Sequence, residues 1–329
     1  MNITRRQVIA FLSLLGLLAL NAYAERKTPA RIGFLAWDAA SCRSEAFITG
    51  LRELGHVEGR NVVIDCHHAG GRYEGLARAA AESARRRPDV IVAITHDYAE
   101  AARRVTKDIP IVMIVGGDPV AAGLVASLAR PGGNITGVGH FSPELNAKRL
   151  ELLKAIAPRI KRVAALSFRE GPDNQSEMGG LYVRESKMAA KALGLELLIV
   201  EARGAEDLDR AFDEIARAQA DALDILPNRL FAAEAQRIAD LAVWHRLPTI
   251  HWYKPFPAMG GLMAYGVDYE TVHRRAAVYV DKVLKGAKPG ELPIEQPKQF
   301  ELVINLSTAR QLDLKIPQTV LMRADKVIE

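Results

Sequence analysis

Polar and aromatic side chains recur directly after short apolar runs in this sequence, and such positions are where a small molecule can be held. In the first half of the chain they are Trp37-Asp38, Thr95-His96-Asp97 and Gly116-Gly117-Asp118. In the second half they are Phe168-Arg169, Asn228-Arg229 and His251-Trp252-Tyr253. The chemistry on offer is recognition: carboxylates, amides and imidazoles for polar groups, and rings for apolar surface. Two of the three tryptophans, Trp37 and Trp252, fall one in each half. Either they form opposite apolar walls around a ring-bearing ligand, or each caps the edge of a core. Gly116-Gly117-Asp118-Pro119 suits a strand-to-helix turn with Asp118 as N-cap and Pro119 as the first helical residue. Free backbone N–H groups there can hold a carboxylate, so Asp118 serves the cap, the ligand or both.

Catalytic and metal chemistry find less support. His67-His68 stand beside Cys66, but adjacent residues of a strand point to opposite faces and do not converge on one ion. His96, His140 and His251 have no spacing that fixes a metal. Nucleophile elbow, phosphate-binding glycine-lysine loop, dinucleotide fingerprint and His-Glu-x-x-His helix are all missing. The glycines of Gly133–Gly139 lie before and within a strand, the wrong context for a phosphate loop. No catalytic residue, metal or cofactor is therefore assigned. An exported enzyme using Asp118 and His96 as an acid/base pair is the remaining catalytic reading.

The elements that position these residues alternate. The run Ile32–Trp37 precedes an amphipathic helix over Glu45–Leu54. A strand at Asn61–Cys66, a helix at Glu74–Arg87, a strand at Val90–Thr95, a helix at Tyr98–Lys107 and a strand at Ile109–Val115 follow. Pro119–Ala129 reads as another helix and Asn134–Val138 as another strand. The same grammar restarts after Phe141, with helices at Pro143–Ala157, Glu177–Leu193, Asp207–Ala218 and Ala232–Trp244. Strands at Arg162–Phe168, Leu195–Val200, Ala222–Leu226 and Thr249–Trp252 lie between them. Such alternation argues for parallel βαβ units, with ligands outside the carboxyl ends of the strands. A long helix at Tyr269–Lys285, a proline-punctuated stretch at Pro289–Pro297, and strands near Phe300–Ile304 and Thr319–Met322 favour two α/β lobes over one eight-fold barrel. The expected division is 25–140 with a returning segment near 268–290, and 141–267 with part of 291–329. Chain crossings are expected near Gly139–Ser142, Ala264–Asp268 and Pro293–Pro297.

The N-terminus reads as an export signal. Arg5-Arg6 precede an apolar stretch from Val8 to Leu20, and Ala22-Tyr23-Ala24 suits cleavage before Glu25. The paired arginines fit either the general or the twin-arginine route. The net charge of +5 includes those two arginines, and the remaining charges are interleaved, so no nucleic-acid surface is expected. The two cysteines, Cys42 and Cys66, are placed after the first strand and at the end of the second. Parallel neighbours would bring them to one sheet edge in an oxidising compartment. They form a disulfide or stay as two small apolar thiols.

Longer motifs resemble a known family. Gly116-Gly-Asp-Pro-Val-Ala-Ala-Gly-Leu-Val-Ala-Ser-Leu-Ala-Arg-Pro-Gly-Gly-Asn-Ile-Thr-Gly137 is similar to a signature of ABC-transporter substrate-binding proteins of the tryptophan/tyrosine transport type. Leu51–Gly59, Pro143–Leu153, Gly260–Gly266 and Phe300–Asn305 match it as well, and the resemblance runs from about Arg31 to Glu329. It implies a type I periplasmic-binding fold of two Rossmann-like lobes with a multi-strand hinge. It further implies a non-enzymatic, monomeric periplasmic protein that delivers an amino acid or related solute to a permease and its ATPase. Tyr265, inside the Gly260–Gly266 motif, joins Thr95 and Asp118 as an expected polar contact. Thr95-His96-Asp97-Tyr98 and His251-Trp252-Tyr253 are bulkier than the family's usual pattern, which points to a differently tuned pocket. The competing reading is a periplasmic sensor that presents its solute to a membrane receptor.

Overall fold

Apolar runs with little polar interruption form strands that are covered on both faces, and this chain has two sets of them. A computed structural model describes residues 28–116, 118–139, 144–169, 177–297 and 300–329. The expected export signal, Gly117, His140 and most of the first expected crossing lie outside the described residues.

The first sheet contains β1 (Ala30–Ala36), β2 (Val62–His68), β3 (Val90–Ala93), β4 (Ile111–Val115) and β5 (Ile135–Gly139), all parallel, in the order β2-β1-β3-β4-β5. Helices α1 (Glu45–Glu53), α2 (Leu76–Arg85) and α3 (His96–Val105) connect its strands. α1 ends at Leu54, and Gly55, at φ +87°, turns the chain out of the helix.

The second half begins with α4 (Glu144–Ile156), β6 (Arg162–Phe168), α5 (Glu177–Ala192), β7 (Glu196–Ala202) and α6 (Leu208–Arg217). It continues with β8 (Ala222–Ile225), α7 (Arg229–Ala233), α8 (Ala235–Trp244), β9 (Thr249–His251) and β10 (Met263–Val267). After α9 (Tyr269–Leu284) come β11 (Phe300–Asn305), α10 (Leu306–Gln311), α11 (Gln318–Leu321) and β12 (Lys326–Ile328). The second sheet runs β12-β11-β10-β9-β8-β6-β7, parallel except where β10 meets β11. This is an α/β fold of two mainly parallel sheets flanked by helices.

The cores show how the chain passes between the sheets. Phe34, Phe47, Ile91 and Ile111 form the first core together with Val272, Ala276 and Val280 of α9, which follows a strand of the second sheet. Gly50 of α1 makes that packing close: a Cβ there would lie 3.0 Å from the Ala277 Cβ and 3.2 Å from the Arg274 backbone. Val267 and Ile294 also belong to the first core, whereas Met263 and Leu302 belong to the second. Glu295 bridges Val138 of β5 before the chain enters β11.

Two expected elements are corrected. Residues 119–129 form turns and not a helix, because the chain reverses at Gly123, with φ +65°, after Asp118 has capped a single turn. The expected strand at Thr319–Met322 is instead the short helix α11, which buries Val320, and the final strand comes later as β12. Pro317 explains the change: it sits at the N-cap with extended geometry and leads into a helical turn.

Candidate functional site

Strand ends from both sheets open onto one cleft, which holds a cavity of about 110 Å³. The first sheet supplies Ile94, Thr95, His96 and Asp97 at the β3–α3 junction, Gly116 after β4, and Tyr73 from the turn after β2. The second supplies Ser167 and Phe168 at the end of β6, Leu226 to Arg229 between β8 and α7, and Trp252 after β9. Tyr182 of α5 and Tyr269 of α9 complete the lining.

Caps fix the polar groups. Thr95, two residues past β3, is the extended N-cap of α3 and its Oγ1 accepts from the Tyr98 N–H at 3.4 Å, so His96 and Asp97 fall in the first turn of α3. Asn228 caps α7 in the same way, its Oδ1 accepting from the Leu230 N–H at 2.8 Å. That leaves the Asn228 Nδ2 to donate to the Tyr73 hydroxyl at 3.1 Å, from one sheet's loops to the other's. The Tyr73 ring also stacks on Phe168, with centroids 5.3 Å apart and planes at 26°. The cleft is therefore bridged by side chains of both halves. Beneath the first wall the buried Tyr98 hydroxyl donates to the Ala36 carbonyl and accepts from the Ala69 N–H at 3.1 Å, tying the ends of β1 and β2 to α3.

The second wall rests on buried polar groups. Trp252 is 7% exposed and its ring packs on Tyr269 at 5.5 Å and His251 at 5.6 Å. The His251 Nδ1 accepts from the Tyr253 N–H at 2.9 Å, so its Nε2 carries the proton toward the Phe231 carbonyl at 3.4 Å. Burial pushes this imidazole down to about 3, which keeps it neutral. Gly266 of β10 is required here, since a Cβ would lie 2.1 Å from the Trp252 carbonyl oxygen. Behind Tyr182, Trp252 and Tyr269 lies a smaller cavity of about 30 Å³, reached by Asn146 and Arg149. Arg149 is fully enclosed; its Nε meets Asp224 Oδ1 at 3.2 Å, and it also donates to Asn146 Oδ1. The Asn146 Nδ2 in turn donates to the Tyr182 carbonyl at 3.2 Å and the Ser186 Oγ at 3.3 Å, which anchors the helix carrying Tyr182.

Electrostatics differ along the lining. Burial pushes the Asp97 carboxyl above its usual range, against the opposing pull of His96. Burial also holds the Tyr182 hydroxyl protonated, at about 12. Trp252 Nε1, His96 Nδ1 and Arg229 Nε are buried without a hydrogen-bond partner among the described residues.

Of the residues expected from sequence, the structure gathers Thr95, His96, Asp97, Phe168, Asn228 and Trp252 around the cavity. Others stand elsewhere. Trp37 lies one layer back, its ring edge-on to Tyr73 at 4.8 Å, so Tyr73 takes the place expected for it. Asp38 accepts from the Ser41 N–H and hydroxyl, both at 2.7 Å. Burial works against its charge, but these bonds hold its carboxyl below the usual range. Asp118 Oδ1 caps its own turn, accepting from Val120 N–H at 2.8 Å and Ala121 N–H at 3.1 Å. Tyr253 packs against the apolar cluster of Phe231 and Phe256. Tyr265 is paired in register with Leu302 and packs toward Phe300 at 6.3 Å, between the cores. Gly117 lies outside the described residues. Cys42 and Cys66 are joined as a disulfide with Cα atoms 5.7 Å apart.

Tyr73, Tyr182 and Tyr269 were missed, and Arg229 was noted beside Asn228 without being chosen. The strand-end rule finds Tyr73 once it is applied to β2 also, where Gly70-Gly71-Arg72 leads directly to it. Tyr182 sits within a helix and carries no such signal. Asp224, a lone acid in the buried strand Ala222–Ile225, is the sequence sign of the charge network below.

Among the described residues no group of histidine, cysteine and acidic side chains is arranged to hold a metal, and no helix is long and apolar enough to cross a membrane.

Comparison with known proteins agrees with this architecture. The tyrosine-binding protein of Clostridioides difficile (strain R20291) is 28% identical over 272 residues, 82% of this chain and 76% of that protein. The ABC domain in complex with L-Trp from Streptococcus pneumonia superposes with a TM-score of 0.82 at 26% identity, covering 92% of this chain and all of that one. A conserved domain protein from Vibrio cholerae gives 0.83 at 29% identity over 91% of this chain and all of that one. The two-sheet arrangement is that of type I periplasmic-binding proteins. The family described as ABC transporter substrate binding protein, whose members bind solutes and do not catalyse reactions, matches residues 31–328, and the chain belongs to it.

Proposed function

We propose that this protein is the extracytoplasmic solute-binding component of an ABC uptake transporter, capturing an amino acid or related ring-bearing solute and delivering it to a permease and its ATPase. The observation that carries this reading is the cleft itself, with aromatic and polar side chains supplied by both sheets and Tyr73 touching Phe168 and Asn228 across it. That arrangement supports closure of two lobes around a solute. The lobes are residues 25–140 with 268–290, and 141–267 with part of 291–329. The protein acts as a periplasmic monomer after removal of its leader near Ala24. Thr95, Asn228 and Arg229 offer polar contacts, while Phe168, Trp252 and Tyr73 enclose a ring.

Mass spectrometry of solute that co-purifies with the protein, followed by thermal shifts with a panel of aromatic and aliphatic amino acids and their analogues, tests the proposal. A solute at a hundred times its dissociation constant stabilises the folded state by about 2.7 kcal/mol. Small-angle scattering with that solute should show a more compact particle. A panel without any shift, or scattering profiles unchanged at saturation, would count against solute capture by closure.

A further inference from the structure

The cleft contains a cation, Arg229, that has no hydrogen-bond or ion-pair partner among the described residues. Arg229 lines the cavity, its Nε is buried without a partner, and no described residue forms a hydrogen bond or ion pair with its guanidinium. Other arginines of the same half are engaged: Arg149 with Asp224, Arg169 with Glu201 and Arg237 with Asp209. Arg229 is half-buried, with its Nε withdrawn from water and its donors open to the cleft, and its planar fork matches a carboxylate through two parallel hydrogen bonds.

An ammonium group is less well provided for. Asp97 is the one acidic side chain among the described residues lining the cavity. It lies in the first turn of α3 beside His96, and burial pushes its carboxyl toward the neutral form, which offers an ammonium little charge. Asp38 is within electrostatic reach of Arg229 but forms no ion pair with it; its Oδ1 accepts from the Ser41 N–H and hydroxyl, and it does not line the cavity. Among the described residues, Arg229 thus keeps open donors toward the cavity, while the one lining carboxyl is drawn toward its neutral form.

We infer that Arg229 anchors a carboxylate of the solute and that the cleft selects aromatic carboxylic acids lacking a charged amine over the corresponding amino acids. This rests on the reading of the cleft as a site for ring-bearing solutes. Asn228 beside it and the rings of Phe168 and Trp252 then determine how the remainder of the acid lies.

Calorimetric titration of the purified protein with two matched trios tests the assignment. One is L-tyrosine, tyramine and 3-(4-hydroxyphenyl)propionate; the other is L-tryptophan, tryptamine and indole-3-propionate. The expected result is tightest binding by a propionate, weaker binding by its amino acid and none by its amine. Arg229→Gln should weaken the propionate at least tenfold with an unchanged melting temperature, and Arg229→Lys should restore part of the loss. An amine that binds as well as its acid, an amino acid that binds more tightly than its acid, or an Arg229→Gln protein that binds the acid undiminished overturns this inference alone. Failure of all six compounds to bind removes the ring-bearing-solute reading, and the inference with it.

Discussion

The two walls of the cleft are held in place by different physics. On the first wall, Trp37 and Tyr73 sit on loops, and what fixes those loops is covalent and local: the Cys42–Cys66 disulfide, the Tyr98 hydroxyl between Ala36 and Ala69, and ring-on-ring packing. On the second wall, Trp252 and Tyr182 stand over buried polar groups: the Arg149–Asp224 pair, Asn146 and the neutral His251. The first wall is stapled at its edge and the second is wired from beneath. Loops rich in glycine, here Gly70 and Gly71, have few internal contacts to hold them and gain most from a crosslink. A wall carried on helices and strands can instead be set by a buried polar network, although Asp224 Oδ2 has no hydrogen-bond partner among the described residues.

The sharpest way to break that comparison is Asp224→Ala. It leaves the Arg149 guanidinium buried without its acid and should cost about 3–5 kcal/mol of stability in a urea titration. Removing the staple with the double change Cys42→Ser and Cys66→Ser should cost roughly 3 kcal/mol, the loop entropy for a sequence separation of 24. A stability loss from the serine pair greater than that from Asp224→Ala would reverse the ranking of the two walls.

Acid should act on the second wall first. His251 is pushed from 6.5 to about 3, so between those values the unfolded chain takes up a proton that the folded chain refuses. Its share of stability is fully present above pH 6.5 and declines as pH falls toward 3, by at most about 1.4 kcal/mol per unit. His251→Gln should flatten the dependence of melting temperature on pH across that window; an unaltered slope would place the acid sensitivity elsewhere. The smallest effect is expected at the contact between the walls. Tyr73→Phe keeps the stack on Phe168 and deletes the bond from Asn228, worth about 0.5–1.5 kcal/mol. It should weaken solute binding by no more than about tenfold, without shifting the melting temperature of the solute-free protein by more than a few degrees.

Much of the fold was readable because its strands are uninterrupted apolar runs. Val90–Ala93 and Ile111–Val115 announce buried parallel strands, and the rule of strand ends led from them to Thr95, His96 and Asp97. Where reading failed, the reason was local. The stretch after Pro119 has the composition of a helix, yet Gly123 takes a left-handed turn that composition does not disclose. Tyr265 sits inside a resembling motif, but its register opposite Leu302 sends it between the cores and not to the cavity. Trp37 follows a strand as the rule asks, and is displaced from the lining by Tyr73, which arrives from the neighbouring strand's loop. Which of two aromatic residues stands in front is decided by packing across the chain, which spacing along it does not encode.

The contacts of Tyr73 with Phe168 and Asn228 are made between the protein's own side chains across the cleft. Under the proposed closure they favour the shut arrangement, and the fraction of solute-free molecules already shut divides the intrinsic dissociation constant to give the apparent one. A stronger latch would raise apparent affinity, but it would also make empty and loaded molecules harder for a downstream receptor to tell apart. On that proposal, one aromatic stack and one neutral hydrogen bond set a ceiling on how faithfully the shape of this protein reports that its cleft is full.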